Sequence, residues 1–183
     1  MRRLPVAAAM FLLLIGACKP QLFPPKATEG VDPHFDFSRW RIFPHQFQDH
    51  KIQLGGLILQ SDTKTDIKTN TVTIVAIQLP IVEHPAYGPK DTKKRSGEFA
   101  ILYRGKIEPV FLQAGNRLIA VGLTGAPVKV EVDDVLRSLP AMTAQCIHFW
   151  NTGGKDIADF GYSGAGYESL REETYCEPLF TDQ

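Results

Sequence analysis

Thr71-Val-Thr-Ile-Val-Ala-Ile-Gln78 is the stretch densest in β-branched residues. Such side chains lose rotamer freedom in a helix and pack well on a pleated surface, so the run predicts a central strand that stops before Pro80. Upstream, Lys51-Ile-Gln-Leu54 and Leu57-Ile-Leu59-Gln60 both alternate, but the apolar parity changes across Gly55-Gly56. A bulge or sharp bend at the two glycines would return one face to the core. The polar, Thr/Lys/Asp-rich stretch from Ser61 to Asn70 reads as a hairpin loop. Downstream, Glu98 to Arg104, Arg117 to Thr124 and Val128 to Val132 repeat the strand pattern, the last with Val128, Val130 and Val132 on one face and Lys129 and Glu131 on the other. Asp133 is read as the cap of one helical turn running to Leu139 and ended by Pro140, and Thr143 to Trp150 as a final strand. Six or seven short strands with little helix predict a mainly β domain, a small antiparallel β-barrel or sandwich. An OB-like barrel is the first choice, although nothing between the third and fourth strands matches the helix usual there.

Composition limits what such a domain does. The chain has 183 residues, 44% hydrophobic and 22% charged, enough for one domain and too little for two large ones. Twenty basic residues balance twenty acidic ones, so no basic field calls for nucleic acid.

The first eighteen residues carry the clearest functional signal. Arg2 and Arg3 precede an apolar run from Val6 to Ile15, which as a helix is roughly 15 Å long and too short to span a bilayer. It reads as the hydrophobic part of an export signal. The run ends in Ile15-Gly16-Ala17-Cys18, which resembles the lipobox of bacterial lipoproteins. That resemblance implies cleavage between Ala17 and Cys18, with a diacylglycerol on the Cys18 sulfur and an acyl chain on its freed amine. Three chains, at about 0.8 kcal/mol per buried methylene, exceed what stable anchoring requires. Removing residues 1–17 takes away Arg2 and Arg3 and leaves a net charge of about −2. The residue after the cysteine is Lys19 rather than the Asp of an inner-membrane retention signal, so the resemblance implies the outer membrane and its periplasmic face. Pro20, Pro24, Pro25 and Pro33 mark residues 18–33 as a tether, up to roughly 45 Å long if it runs as polyproline.

With the strands in place, an ordered set of short motifs stands out between residues 51 and 150. These are Gly55-Gly56, Gln78-Leu79-Pro80, Ser96-Gly97-Glu98-Phe99, Glu108-Pro109, Gly115-Asn116-Arg117-Leu118 leading to Gly122-Leu-Thr-Gly125, Leu139-Pro140, and Ile147-His148-Phe149-Trp150. The set resembles the Slp family, the starvation-inducible outer-membrane lipoproteins, with Glu98 standing where that family usually has Arg. The resemblance implies an envelope lipoprotein linked with starvation or stress, and supplies no catalytic residue and no cofactor. The expected organisation is a signal peptide (1–17), the lipidated Cys18 with its tether (18–33), a β domain (34–150) and a C-terminal segment (151–183).

Gly161-Tyr-Ser163-Gly-Ala165 comes near a nucleophile elbow but lacks its closing glycine and its strand-to-helix setting. His34, His45 and His50, with Asp36 and Asp49, could meet around a metal only if their segment folds back, and the reading favours solvated side chains and no metal site. Lys93-Lys94-Arg95 is the one basic run, read as a solvated loop that could touch anionic headgroups. Cys146 and Cys176 reach an oxidising compartment on export and are expected to pair. The segment they enclose interleaves glycines with Phe160, Tyr162 and Tyr167, a candidate interaction surface if it does not simply cover one end of the barrel. The expectation is therefore a non-enzymatic, structural or interaction lipoprotein, contacting membrane lipid through acylated Cys18 and also an envelope protein or wall component. A small-ligand-binding barrel is the alternative.

Overall fold

The computed structural model describes residues 21–62, 71–92, 96–161 and 169–180. Two short helices, α1 (Pro25–Thr28) and α2 (Phe37–Ile42), precede eight strands: β1 (Lys51–Asp62), β2 (Thr71–Leu79), β3 (Ile81–Val82), β4 (Gly88–Pro89), β5 (Glu98–Arg104), β6 (Arg117–Val132), β7 (Val135–Trp150) and β8 (Glu172–Cys176). The main sheet runs β5-β2-β1-β6-β7-β8, and β5 also pairs with β7. That last pairing is parallel, from Ala100 opposite Ala141 to Tyr103 opposite Ala144, and it closes β1, β2, β5, β7 and β6 into a ring. The mainly β, OB-like expectation describes this arrangement. β3 and β4 form a separate small pair.

The interior is filled by side chains that alternate along the strands. Ile52, Leu54 and Ile58 of β1 join Ile74, Phe99, Ile101, Leu118, Met142, Ile147 and Phe149, all buried in one cluster. The register places the Lys51 end of β1 beside Leu123 and its Gly56–Leu57 stretch beside the start of β6. At the first end, α2 lays Phe37 and Trp40 against Phe99, with Asp36 capping the helix by accepting from the Arg39 amide. At the other end the turns between β5 and β6 supply Phe111, whose ring lies 6.1 Å from that of Phe149. These turns occupy the place where an OB-like barrel usually has its helix.

Two breaks in the β6–β7 ladder keep its faces in order. Val121 pairs with Cys146 and Gly122 with Ala144, which leaves Gln145 as an extra residue on β7. Met142 and Ala144 before it, and Ile147 and Phe149 after it, therefore all point inward. A Cβ on Gly122 would lie 2.0 Å from the Thr143 carbonyl oxygen, so only glycine fits at this kink. The second break, between Gly125 and Val128, brings together Pro127 and Pro140, neither of which can donate to a ladder. Beyond it the hairpin folds onto the outside of the ring, where Val132 and Leu139 meet Val75 and Ala100. Arg137 there binds both carboxylate oxygens of Glu98, at 3.0 and 2.9 Å.

Four expectations are corrected. Asp133 caps no helix: Asp133 and Asp134, at φ 50° and 60°, form the two-residue turn between Val132 and Val135, a left-handed conformation that Asp tolerates and this hairpin type demands. Residues 117–124 and 128–132 are one strand. The β1 bulge falls between Ile58 and Gln60 rather than at Gly55-Gly56, where the glycines instead allow close approach: a Cβ would meet the Leu79 carbonyl oxygen at 2.7 Å from Gly55 and the Ala76 Cβ at 3.0 Å from Gly56. Trp150 does not end the sheet, because β8 follows and pairs with the half of β7 that has separated from β5.

Candidate membrane-facing site

The outward faces of β6 and β7 are also apolar, and the chain segment nearest Cys18 covers them. Ile119, Val121, Cys146 and Trp150 form a second buried cluster with Phe23 and Ala27, flanked by Leu22, Val31 and Phe180. This corrects the tether reading from Gln21 onward. Pro24 precedes α1 and Pro25 opens it, positions where the missing N–H costs nothing, so the two prolines start a helical turn instead of extending a spacer. Phe23, just ahead of that turn, and Ala27 within it are both buried against the sheet. The Asp32 amide donates to the Lys51 carbonyl at 2.9 Å and fixes the far end of the segment to β1.

β8 forms one wall of this attachment. Cys176 lies opposite Cys146 and is disulfide-bonded to it, with Cα atoms 4.1 Å apart. The Thr174 hydroxyl donates to the Leu22 carbonyl at 3.3 Å and lies 2.6 Å from His148 Nδ1. His148 Nε2 faces Glu172 Oε2 at 3.4 Å, an ion pair when the ring is protonated. The Trp150 ring lies edge-on to that of His148, 4.2 Å away.

Burial lowers the His148 pKa below its ordinary value, and the opposing pull of Glu172, with a smaller one from Glu173, does not overcome it. A histidine lowered on folding takes up its proton more readily unfolded, so its stabilisation is present above the ordinary pKa of about 6.5 and is lost as pH falls through the folded value. Stability should therefore decline as pH falls below about 6.5, and His148→Gln should flatten that decline in thermal melts between pH 5 and 7.5.

Two surface grooves flank residues 21–23. One, of about 390 Å³, is lined by Gln21, Phe23, Thr28, Gln53 and Tyr87; the other, of about 470 Å³, by Gln21, Leu22, Pro24, Thr174 and Cys176. A family model of the outer membrane lipoprotein Slp family matches residues 15–175. The chain belongs to the Slp family. The match begins within the Ile15-Gly-Ala-Cys18 motif and ends in β8, so Slp membership covers the ring, the packed N-terminal segment and the strand that holds it. It identifies the chain as an outer-membrane lipoprotein. Comparison with curated proteins and with solved structures gave no match to either.

The remaining residues singled out in this Slp chain fall into three groups. Ala17, Cys18, Lys93, Lys94, Arg95, Tyr162, Ser163 and Tyr167 lie outside the described residues. Phe160 is half-buried, with Lys155 Nζ 5.7 Å from its ring centre. His34, His45 and His50 are exposed and make no metal cluster with Asp36 and Asp49 among the described residues. Asp36 caps α2, and Asp49 adopts φ 60° before β1.

The Gly115-Asn116-Arg117 motif gathers loops. Asn116 Nδ2 donates to the Val110 carbonyl and its Oδ1 accepts from the Gly153 amide, at 2.8 and 3.1 Å. Arg117, only 3% exposed, donates to the carbonyls of Lys155 and Pro89 at 3.0 and 2.9 Å. Reasoning from sequence missed the packed segment at Phe23 and Ala27, the wall at Thr174, and the pair Leu179-Phe180 beside it. The available signal was the apolar Leu22-Phe23 pair directly ahead of Pro24-Pro25, a proline placement that also opens helices.

Proposed function

We propose that this Slp family member is a non-enzymatic lipoprotein anchored by acyl chains on Cys18 in the periplasmic leaflet of the outer membrane. There it serves the envelope under starvation or stress as a structural or interaction element. The observation that carries the reading is the packed segment beginning at Gln21. Only Lys19 and Pro20 separate Cys18 from it, a reach of at most roughly 11 Å. A domain attached so closely sits against its membrane and offers the rest of its surface to a periplasmic partner, which suits a scaffold. The ring interior holds Phe99, Ile101, Ile74, Met142 and Phe149, all fully buried, so a small ligand would have to use the surface grooves, and the ligand-binding alternative is the weaker one.

Cys18→Ser tests the anchor. The variant should leave the outer-membrane fraction almost completely, and Lys19→Asp should move the lipidated protein to the inner membrane. Immunoblots of separated membranes read both results. A Cys18→Ser protein that still fractionates with the outer membrane would contradict the reading.

A further inference from the structure

Beside the N-terminal segment, four residues from three parts of the chain converge: Lys26 of α1, Lys51 at the start of β1, and Leu179 and Phe180 near the C-terminus. Leu179 is 74% exposed, the most exposed large hydrophobic side chain among the described residues. Lys26 Nζ donates to the Leu179 carbonyl at 3.3 Å, and Lys51 Nζ to the Lys26 carbonyl at 3.3 Å. Both ammonium groups lie near one ring, 5.9 and 6.0 Å from the centre of Phe180. Each keeps further N–H donors free of these bonds, since an ammonium has three.

We propose that Lys26, Lys51, Leu179 and Phe180 form a lipid-contacting patch that seats the ring domain on the phospholipid leaflet holding acylated Cys18. Two ammonium groups beside one ring make a local positive charge that an anion would complement, and Leu179 adds exposed apolar surface next to them. A phospholipid surface answers both, with phosphate for the ammonium groups and acyl chain for Leu179. The leaflet is the occupant because of where the chain starts. Cys18 lies within roughly 11 Å of Gln21, and α1 with Lys26 follows within five residues. Two further exposed apolar pairs are Ile42-Phe43 at the end of α2 and Val135-Leu136 at the hairpin tip, where Leu136 borders a groove with Gln60 and Asp62. Gln60 and Asp62 lie at the far end of β1 from Lys51, roughly 30 Å away along the strand.

This proposal rests on the anchoring reading, and the test separates the two. The mature lipidated protein is reconstituted in vesicles of phosphatidylethanolamine with a quarter phosphatidylglycerol, with and without acyl-brominated phosphatidylcholine. Native Trp40 and Trp150, 0% and 3% exposed, give the background. Leu179→Trp should add blue-shifted emission that brominated lipid quenches about twofold, Leu136→Trp should add emission that it does not quench, and Lys26→Glu with Lys51→Glu should relieve most of the quenching at position 179. Leu179→Trp protein that floats with the vesicles but is quenched no more than Leu136→Trp would overturn the patch and leave the anchor standing. Emission shielded from aqueous quencher in whole envelopes but untouched by brominated lipid would assign the patch to a protein partner and overturn it equally. Protein that does not float would overturn the anchor, and the patch with it.

Discussion

Trp40→Ala is expected to lower the free energy of unfolding by about 3 to 5 kcal/mol, a large share of the total for a domain of this size. Trp40 is fully buried and stands edge-on to Phe35 and Phe37, at 5.5 and 5.8 Å, with Phe99 of β5 at 6.4 Å. Its removal uncovers one end of the ring and leaves α2, six residues long, with little apolar surface to hold it. Trp40→Phe should cost far less. The indole Nε1 has no acceptor among the described residues, so the phenyl ring keeps most of the apolar contact and removes an unpaired donor. Urea unfolding checks both, through a large fall in midpoint for alanine and a small one for phenylalanine. Equal losses would mean that the indole is held by a bond rather than by packing.

The second large effect is expected from Cys146→Ala with Cys176→Ala. The bridge joins residues 30 apart in sequence, and opening a loop of that length costs about 3 to 4 kcal/mol in the chain-entropy account. The local consequence is more specific. β8 brings Thr174 to the Leu22 carbonyl and to His148, so loosening β8 should loosen the segment that packs Phe23 and Ala27 on the sheet. Hydrogen exchange should accelerate at the amides of Ala27 and Glu29, which bond to Pro24 and Pro25, while amides paired between β1 and β2 keep most of their protection. Unchanged exchange at Ala27 and Glu29 would mean that the segment is held by its apolar contacts alone.

Much of the ring was legible in the sequence because its strands carry strong local signals. The β-branched run at Thr71 extends one residue further than read, and Glu98 to Arg104 has the boundaries expected of it. The misreadings fall where one residue type serves two geometries. Aspartate caps helices and also tolerates a left-handed backbone, and at Asp133-Asp134 only the pairing of Val132 with Val135 decides between the two. Proline extends a chain and also opens a helix, and at Pro24-Pro25 the choice falls to the helix because Phe23 and Ala27 find an apolar sheet face waiting. That face belongs to Ile119, Val121 and Trp150, nearly a hundred residues away or more, which no local pattern reports. Glu172-Glu-Thr-Tyr-Cys176 carries no strand signal of its own, being set as a strand by its partner β7 and by the bridge. The site was legible only in part for the same reason: Cys18 is marked by its neighbours in sequence, whereas Lys26, Lys51, Leu179 and Phe180 become neighbours only when the chain folds.

The most direct test of an acylated Cys18 followed by a disulfide-closed domain is the intact mass of the protein extracted from isolated envelopes, taken before and after reduction and alkylation. The account predicts residues 18–183 carrying a diacylglycerol and one further acyl chain, with two thiols becoming available only on reduction. An unlipidated mass, or two thiols free before reduction, would contradict it.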